Sequence, residues 1–315
     1  MNSGPLFPGD PPEAVQQGPA EPAVQPEFRQ HVEAWRQLLA RCSRKPGRKS
    51  VHSLRVATLR LQAAAEFCLR GLEADSPDAR ALRRWQRQGN KLRRALGPVR
   101  QTDVYLGKLA NLRSSHNGRA DGQREPSTSF LHQIGELERR LAGERESAAK
   151  KLTRQIERRQ RRLERLSRKM EAALAAPAQT RKGCSSSAIS EQIAGLAHQF
   201  PELNDGTLHA YRKRIKKVRY LAEVSAPGNP GVARQAAALK RMATAAGEWH
   251  DWQTLAQEAA HVHRGHEGPT ALARVLDAQA GKSLEEALTL CRRSMIRLLK
   301  PAANGHSHHE GAFSR

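Results

Sequence analysis

The chain has 315 residues, with 54 Lys and Arg against 31 Asp and Glu, a formal net charge of +23 and a pI of about 10.9. That length accommodates one large or two small domains, and that charge asks for an anionic partner: nucleic acid, an anionic membrane surface or a phosphate polymer. Aromatic residues make up only 4%, which leaves few platforms for stacking single-stranded bases, and no stretch approaches the roughly 18 apolar residues of a membrane-spanning helix.

In chain order, residues 1–28 carry no Lys or Arg and include seven Pro. They lack the basic start and apolar run of a signal peptide, so residues 1–26 read as a disordered arm. Helix signals run from about Glu27 to Ser43, break at Lys45-Pro46-Gly47, and resume over about 51–73 with Ser50 as N-cap. Ser76-Pro77 opens the next helix, which the pattern interrupts at Gly97-Pro98 and resumes to about Arg113. Residues 114–129 read as a loop, 130–176 as one or two Arg-rich helices, and 177–187 as a linker. Helices follow at 188–200, 207–225, 232–246, 250–264 and 270–300, and the tail 301–315, with its His306-Ser307-His308-His309 run, reads as disordered. Strong helix formers dominate and no segment alternates like a strand. The fold expected is all-α: two antiparallel four-helix bundles, about 27–176 and 188–300, related by an approximate internal twofold within a domain over 27–300.

One motif occurs twice. It reads VHSLRVATLRLQ over residues 51–62 and LHAYRKRIKKVRY over 208–220, and each copy is followed by a short element, LGPVRQTDV over 96–104 and AGEWHDW over 246–252. A helix advances about 100° per residue, so Arg212, Lys213, Lys216, Lys217 and Arg219 fall within about 80° of His209. Tyr211, Val218, Leu221 and Ala222 fall opposite. In the first copy His52, Arg55 and Arg60 share one face, and Leu54, Ala57, Leu61, Ala65 and Cys68 the other. Each helix therefore has an apolar back and a cationic front of nearly one sign, without the Glu-to-Lys alternation of a solvated surface helix. Two such fronts facing each other would merge into one polyanion site.

These motifs resemble the CHAD family, the conserved histidine α-helical domain, over about residues 28–300. The resemblance implies two four-helix bundles around a basic central groove or pore that binds inorganic polyphosphate, and association with polyphosphate granules. Three departures stand out. The family's basic residues are replaced by Leu59 and Gln62, and the first acid of its Asp-x-Asp element by Gln101, leaving Asp103. The first half is therefore expected to bind less strongly than the second.

The expected polyphosphate-binding residues are His52, Arg55, Arg60, Lys91, Arg94 and Arg100 from the first half. The second half supplies His209, Arg212, Lys213, Lys216, Lys217, Arg219, Lys240 and Arg241. Lys91 and Arg94 share a helix face, and Lys240 and Arg241 occupy the equivalent place. Most other arginines around Gly97-Pro98, and the Arg-rich 144–169 segment, read as solvated. Asp103 and Asp251 read as structural acids that cap a helix or hold an arginine. No carboxylate is spaced to orient His52 or His209 as a general base, and no nucleophile is evident. The protein is expected to be non-enzymatic, to use no cofactor and no metal, and to work in the cytoplasm, with nucleic-acid binding as the alternative. The His261, His263 and His266 cluster lacks the four placed ligands of a structural zinc site. The scattered Cys42, Cys68, Cys184 and Cys291 suit a reducing compartment.

Overall fold

The structure, a computed structural model, describes residues 25–117, 128–175, 186–198, 200, 202–226, 228–262 and 268–299. The described residues contain nine α-helices and no strand. They are α1 (Gln25–Arg44), α2 (Arg48–Leu69), α3 (Pro77–Asn117), α4 (Thr128–Glu157), α5 (Gln160–Ala175), α6 (Ser186–Ala197), α7 (Asp205–Ser225), α8 (Pro230–Val262) and α9 (Ala271–Leu299).

Helix ends follow local chemistry. The Asn204 side chain accepts from the Thr207 amide at 3.1 Å while the Thr207 hydroxyl accepts from the Asn204 amide at 2.9 Å. This reciprocal cap satisfies two orphan donors at the start of α7. Gly228, at φ 73°, lets the chain reverse between α7 and α8. At the α4–α5 junction the Arg159 amide reaches back to the Ile156 carbonyl at 2.9 Å, a tightened turn that divides the 130–176 stretch in two.

Two expected breaks do not occur. α3 runs unbroken through Gly97 and Pro98, and α8 through Gly247. A proline inside a helix forfeits the hydrogen bond to residue i−4, and a glycine costs about 1 kcal/mol relative to alanine. Burial outweighs both: Leu92, Leu96 and Val99 flank Pro98 in one core, and Ala246 and Trp249 flank Gly247 in another. The expected loop is also shorter, since α3 continues to Asn117 and α4 begins at Thr128, and α6 begins within the expected linker. The arm before Gln25 and the tail after Leu299, including its histidines, lie outside the described residues, as do Cys184, His263 and His266.

Three apolar clusters hold the helices. One gathers α1, α2, α3, α4 and α5 around Trp35, Leu54, Leu82 and Trp85, with the two indoles edge to face at 4.7 Å and the Trp35 Nε1 donating to Thr58 Oγ1 at 3.0 Å. A second gathers α6, α7, α8 and α9 around Ile189, Ile215, Leu239 and Trp249. Val224 of α7 sits in the first cluster and Phe67 of α2 in the second, so each motif helix places a side chain in the other's core. The third cluster joins the far ends of α3, α4, α8 and α9 through Leu109, Leu137, Leu255 and Leu272. Packing therefore bridges the two halves on both sides of the motif helices.

Pro98 is exposed and its ring is not part of any core. Replacing Pro98 with Ala restores an amide donor to the Arg94 carbonyl and removes the ring's clash with that turn. The expected outcome is stabilisation by about 1–3 kcal/mol, read as a higher denaturation midpoint with unchanged helical circular dichroism.

Candidate functional site

The apolar back of α2 buries Val51, Leu54, Thr58, Leu61 and Ala65, and that of α7 buries Leu208, Tyr211, Ile215, Val218 and Ala222. With those backs in the cores, the two helices pack together and their polar faces are brought to one seam. His52 lies within electrostatic reach of Lys216 and Arg219 from α7, and Arg55 within reach of Arg212. α3 adds Arg93 and Arg100: the Arg100 Nε donates to His52 Nδ1 at 3.2 Å, and the Arg55 Nη1 donates to the Arg93 carbonyl at 3.1 Å. α8 adds His250, whose ring centroid stands 4.6 Å from that of His209, and Asp251.

Opposite charge is scarce here. Glu223 is shared between the halves, accepting from Arg60 Nε at 3.0 Å and from Arg219 Nε at 2.6 Å. Lys217 pairs with Glu66 of α2 at 2.6 Å. Asp251 faces Arg212, Arg100, Lys216 and Lys108 together. Asp103 accepts from Arg145 of α4 at 2.9 Å through Oδ1 and also attracts Arg100. Arg93 Nε, Arg212 Nε and His250 Nδ1 are buried without a hydrogen-bond partner among the described residues.

The titrating groups respond to this crowding. Burial, then the charges of Arg212, Arg55 and Arg219, lower the Lys216 ammonium to about 7, while Asp251 pulls the other way. Burial and then Arg212, His209, Lys216 and Lys213 bring His250 down to about 4. His52 is lowered by burial and then Arg100, and His209 by burial and then Lys213. Burial raises Asp251 above the ordinary carboxyl value against the pull of its cations. Every shift penalises a charged form because burial is the largest cause in each; the crowded cations add to it for Lys216 and the histidines and oppose it for Asp251.

The structure sorts the expected site residues into groups. His52, Arg55, Arg100, His209, Arg212, Lys216 and Arg219 meet at the seam, with Arg60 and Lys217 engaged by carboxylates at its side and Lys213 exposed near His209 and His250. Lys91 and Arg94 lie elsewhere, in a cleft with residues of α4. Lys240 and Arg241 line another cleft between α8 and α9. The continuity of α3 explains the first separation: nine residues at 100° place Lys91 about 180° from Arg100. Arg93, His250 and Arg48 belong at or near the seam and were not singled out in sequence. Arg93 and Arg100, seven residues apart, fall on one face of an unbroken helix, which was the available signal.

The departures also find a use. Gln62 donates to Asn90 Oδ1 at 3.1 Å and packs on Gly89, tying α2 to α3. Gln101 reaches Thr254 Oγ1 at 3.5 Å, a long contact between α3 and α8. Asp103 and Asp251 sit inside long helices rather than at caps, each facing cations. Cys42, Cys68 and Cys291 are buried and form no disulfide among the described residues. No group of three or more His, Cys, Asp or Glu side chains among the described residues could hold a metal ion. Among the same residues no helix is long and apolar enough to cross a membrane.

The family model of the CHAD domain matches residues 27–260. A crystal structure of the CHAD domain from the plant Ricinus communis superposes with a TM-score of 0.56 at 18% identity, covering 87% of this chain and 91% of that one. No curated protein matches. The chain belongs to the CHAD domain family, and the plant structure shares its fold.

Glu223 is the acid that the two halves share. Glu223→Gln removes the negative charge and one of the two oxygen acceptors between Arg60 and the more deeply placed Arg219, and is expected to cost about 1–3 kcal/mol. Sulfate should recover part of that loss by supplying the missing negative charge. Thermal melts of both proteins in chloride and in sulfate check this: the variant's deficit should shrink in sulfate.

Proposed function

We propose that this CHAD-family chain binds inorganic polyphosphate without chemically altering it, along a basic groove between two facing four-helix bundles related by an approximate twofold. The observation that carries the reading is the seam itself. Cations from α2, α3 and α7 converge there, with Asp251 as the main opposing charge beside the shared Glu223. Like charges held together in a partly desolvated place cost free energy, and a bound polyanion relieves that cost.

The identities of the side chains fit a phosphate chain. Arg55, Arg100, Arg212 and Arg219 present planar forks to phosphate oxygens, and Lys216 a compact charge. A phosphate polymer offers repeated charge and oxygen acceptors and no base to read, which suits a seam without exposed aromatic rings. The family resemblance points to the same polymer and to a place at polyphosphate granules in the cytoplasm. The clefts holding Lys91 with Arg94, and Lys240 with Arg241, lie outside the seam, so the principal contacts are assigned to His52, Arg55, Arg100, His209, Arg212, Lys216 and Arg219.

Arg212→Ala combined with Lys216→Ala removes two seam charges and keeps helix-favouring residues on α7. Polyphosphate affinity should fall at least tenfold. The dependence of log affinity on log salt should become shallower by roughly one to two, because fewer counterions are released. Filter binding across a salt series reads both, with duplex DNA as competitor at equal phosphate concentration. Tighter binding of DNA at physiological salt would instead favour a nucleic-acid partner.

A pH test follows from Lys216. In the free protein it loses its proton near pH 7. A neighbouring phosphate raises that pKa, so the complex holds more protons than the free protein above about pH 7, and affinity should fall as pH rises from 7 to 8.5. Lys216→Arg keeps the charge at every such pH. It should retain binding and flatten the profile, while calorimetry in buffers of different ionisation heat should show greater proton uptake by the wild type than by the variant.

A further inference from the structure

On the side of α3 turned away from the seam, α3 and α4 enclose an open cleft of about 630 Å³, within the size range of small-molecule sites. Lys91 and Arg94 of α3, Lys151 of α4 and Arg159 of the α4–α5 turn line it. None of these four cations forms an ion pair with a described residue. Glu144 also lines the cleft, where its carboxylate is engaged by Arg140 Nε at 3.1 Å.

The cleft has a second character that the seam lacks. Ala95, Pro98 and Ala148 give it an apolar lining between the cations, over the buried Leu152. Charge alone would serve any phosphate chain. Charge beside an apolar wall suits an anion that carries a flat, mostly apolar group.

We propose that this cleft is a second ligand site, separate from the polyphosphate seam, and that it takes a nucleoside polyphosphate. The phosphates lie among Lys91, Arg94, Lys151 and Arg159, and the base lies against Ala95, Pro98 and Ala148. The inference does not rest on polyphosphate binding, because no seam residue lines the cleft.

Calorimetric titration of the full chain with ATP and with inorganic triphosphate, both without divalent cations, tests it. ATP is expected to bind at least tenfold more tightly than triphosphate, since only ATP uses the apolar wall. The double variant Arg94→Ala and Lys151→Ala should weaken ATP at least tenfold; both residues are exposed on helices, so the fold is kept. Ala148→Trp, which fills the cleft from its wall, should block ATP while leaving polyphosphate binding at the seam intact. Lys216→Ala should leave ATP affinity unchanged. The proposal is overturned by an absence of ATP binding, by equal affinities for ATP and triphosphate, or by ATP binding that depends on Lys216 and survives the cleft variants. Failure of the seam reading shows separately, as polyphosphate binding indifferent to Arg212 and Lys216.

Discussion

The seam between α2 and α7 is organised by a conflict between packing and charge. Burying the apolar backs of both helices forces Arg55, Arg212, Lys216 and Arg219 together, and the protein answers with little opposite charge. Glu223 resolves one part of the conflict by accepting from Arg60 and Arg219, one from each half. Asp251 resolves another by facing cations of α3 and α7. Burial first, and then the cations that remain unopposed, hold the Lys216 ammonium near the point of losing its proton. A site in this condition is preorganised: the cost of assembling the cations is met during folding and is not charged again on binding.

That cost must be covered by apolar packing. The exchange of Phe67 and Val224 between the two motif-helix cores prevents α2 and α7 from separating to relieve their repulsion. The cluster joining α3, α4, α8 and α9 holds the far ends of the same helices. Beside it, Lys108 pairs with Glu248 and stands 3.9 Å over the Trp252 ring, adding a polar tie between α3 and α8. The seam thus lies between two places where the halves are fixed together. The geometry that concentrates charge does not depend on a ligand to hold it.

The helical class and the cationic faces of the motif helices were legible in sequence because both rest on periodicity, which a chain displays directly. His52, Arg55, His209, Arg212 and Lys216 fall where the 100° step puts them. Helix continuity was not legible. Gly97-Pro98 is a strong local stop signal, and the burial of Leu92, Leu96 and Val99 that overrides it is a tertiary fact. Reading a break there left Lys91, Arg94 and Arg100 free to share a surface. An unbroken helix does not allow that, and Arg93 takes the place that Lys91 was given. His250 was hidden for another reason: it meets His209 only through the packing of α7 on α8, which no spacing within one helix encodes.

The continuity of α3 has a consequence for how charge is distributed over the whole molecule. A helix of 41 residues spans about 60 Å and passes through both halves of the structure's packing, touching α2, α4, α5 and α8. Its basic residues therefore serve two surfaces at once, Arg93 and Arg100 toward the seam and Lys91 and Arg94 toward the α4 cleft. Lys91 and Arg100 stand on opposite sides of the axis, so the body of α3 separates the two sets of charge, and salt screens what passes around it beyond about 8 Å. The two surfaces share a helix without sharing a contact.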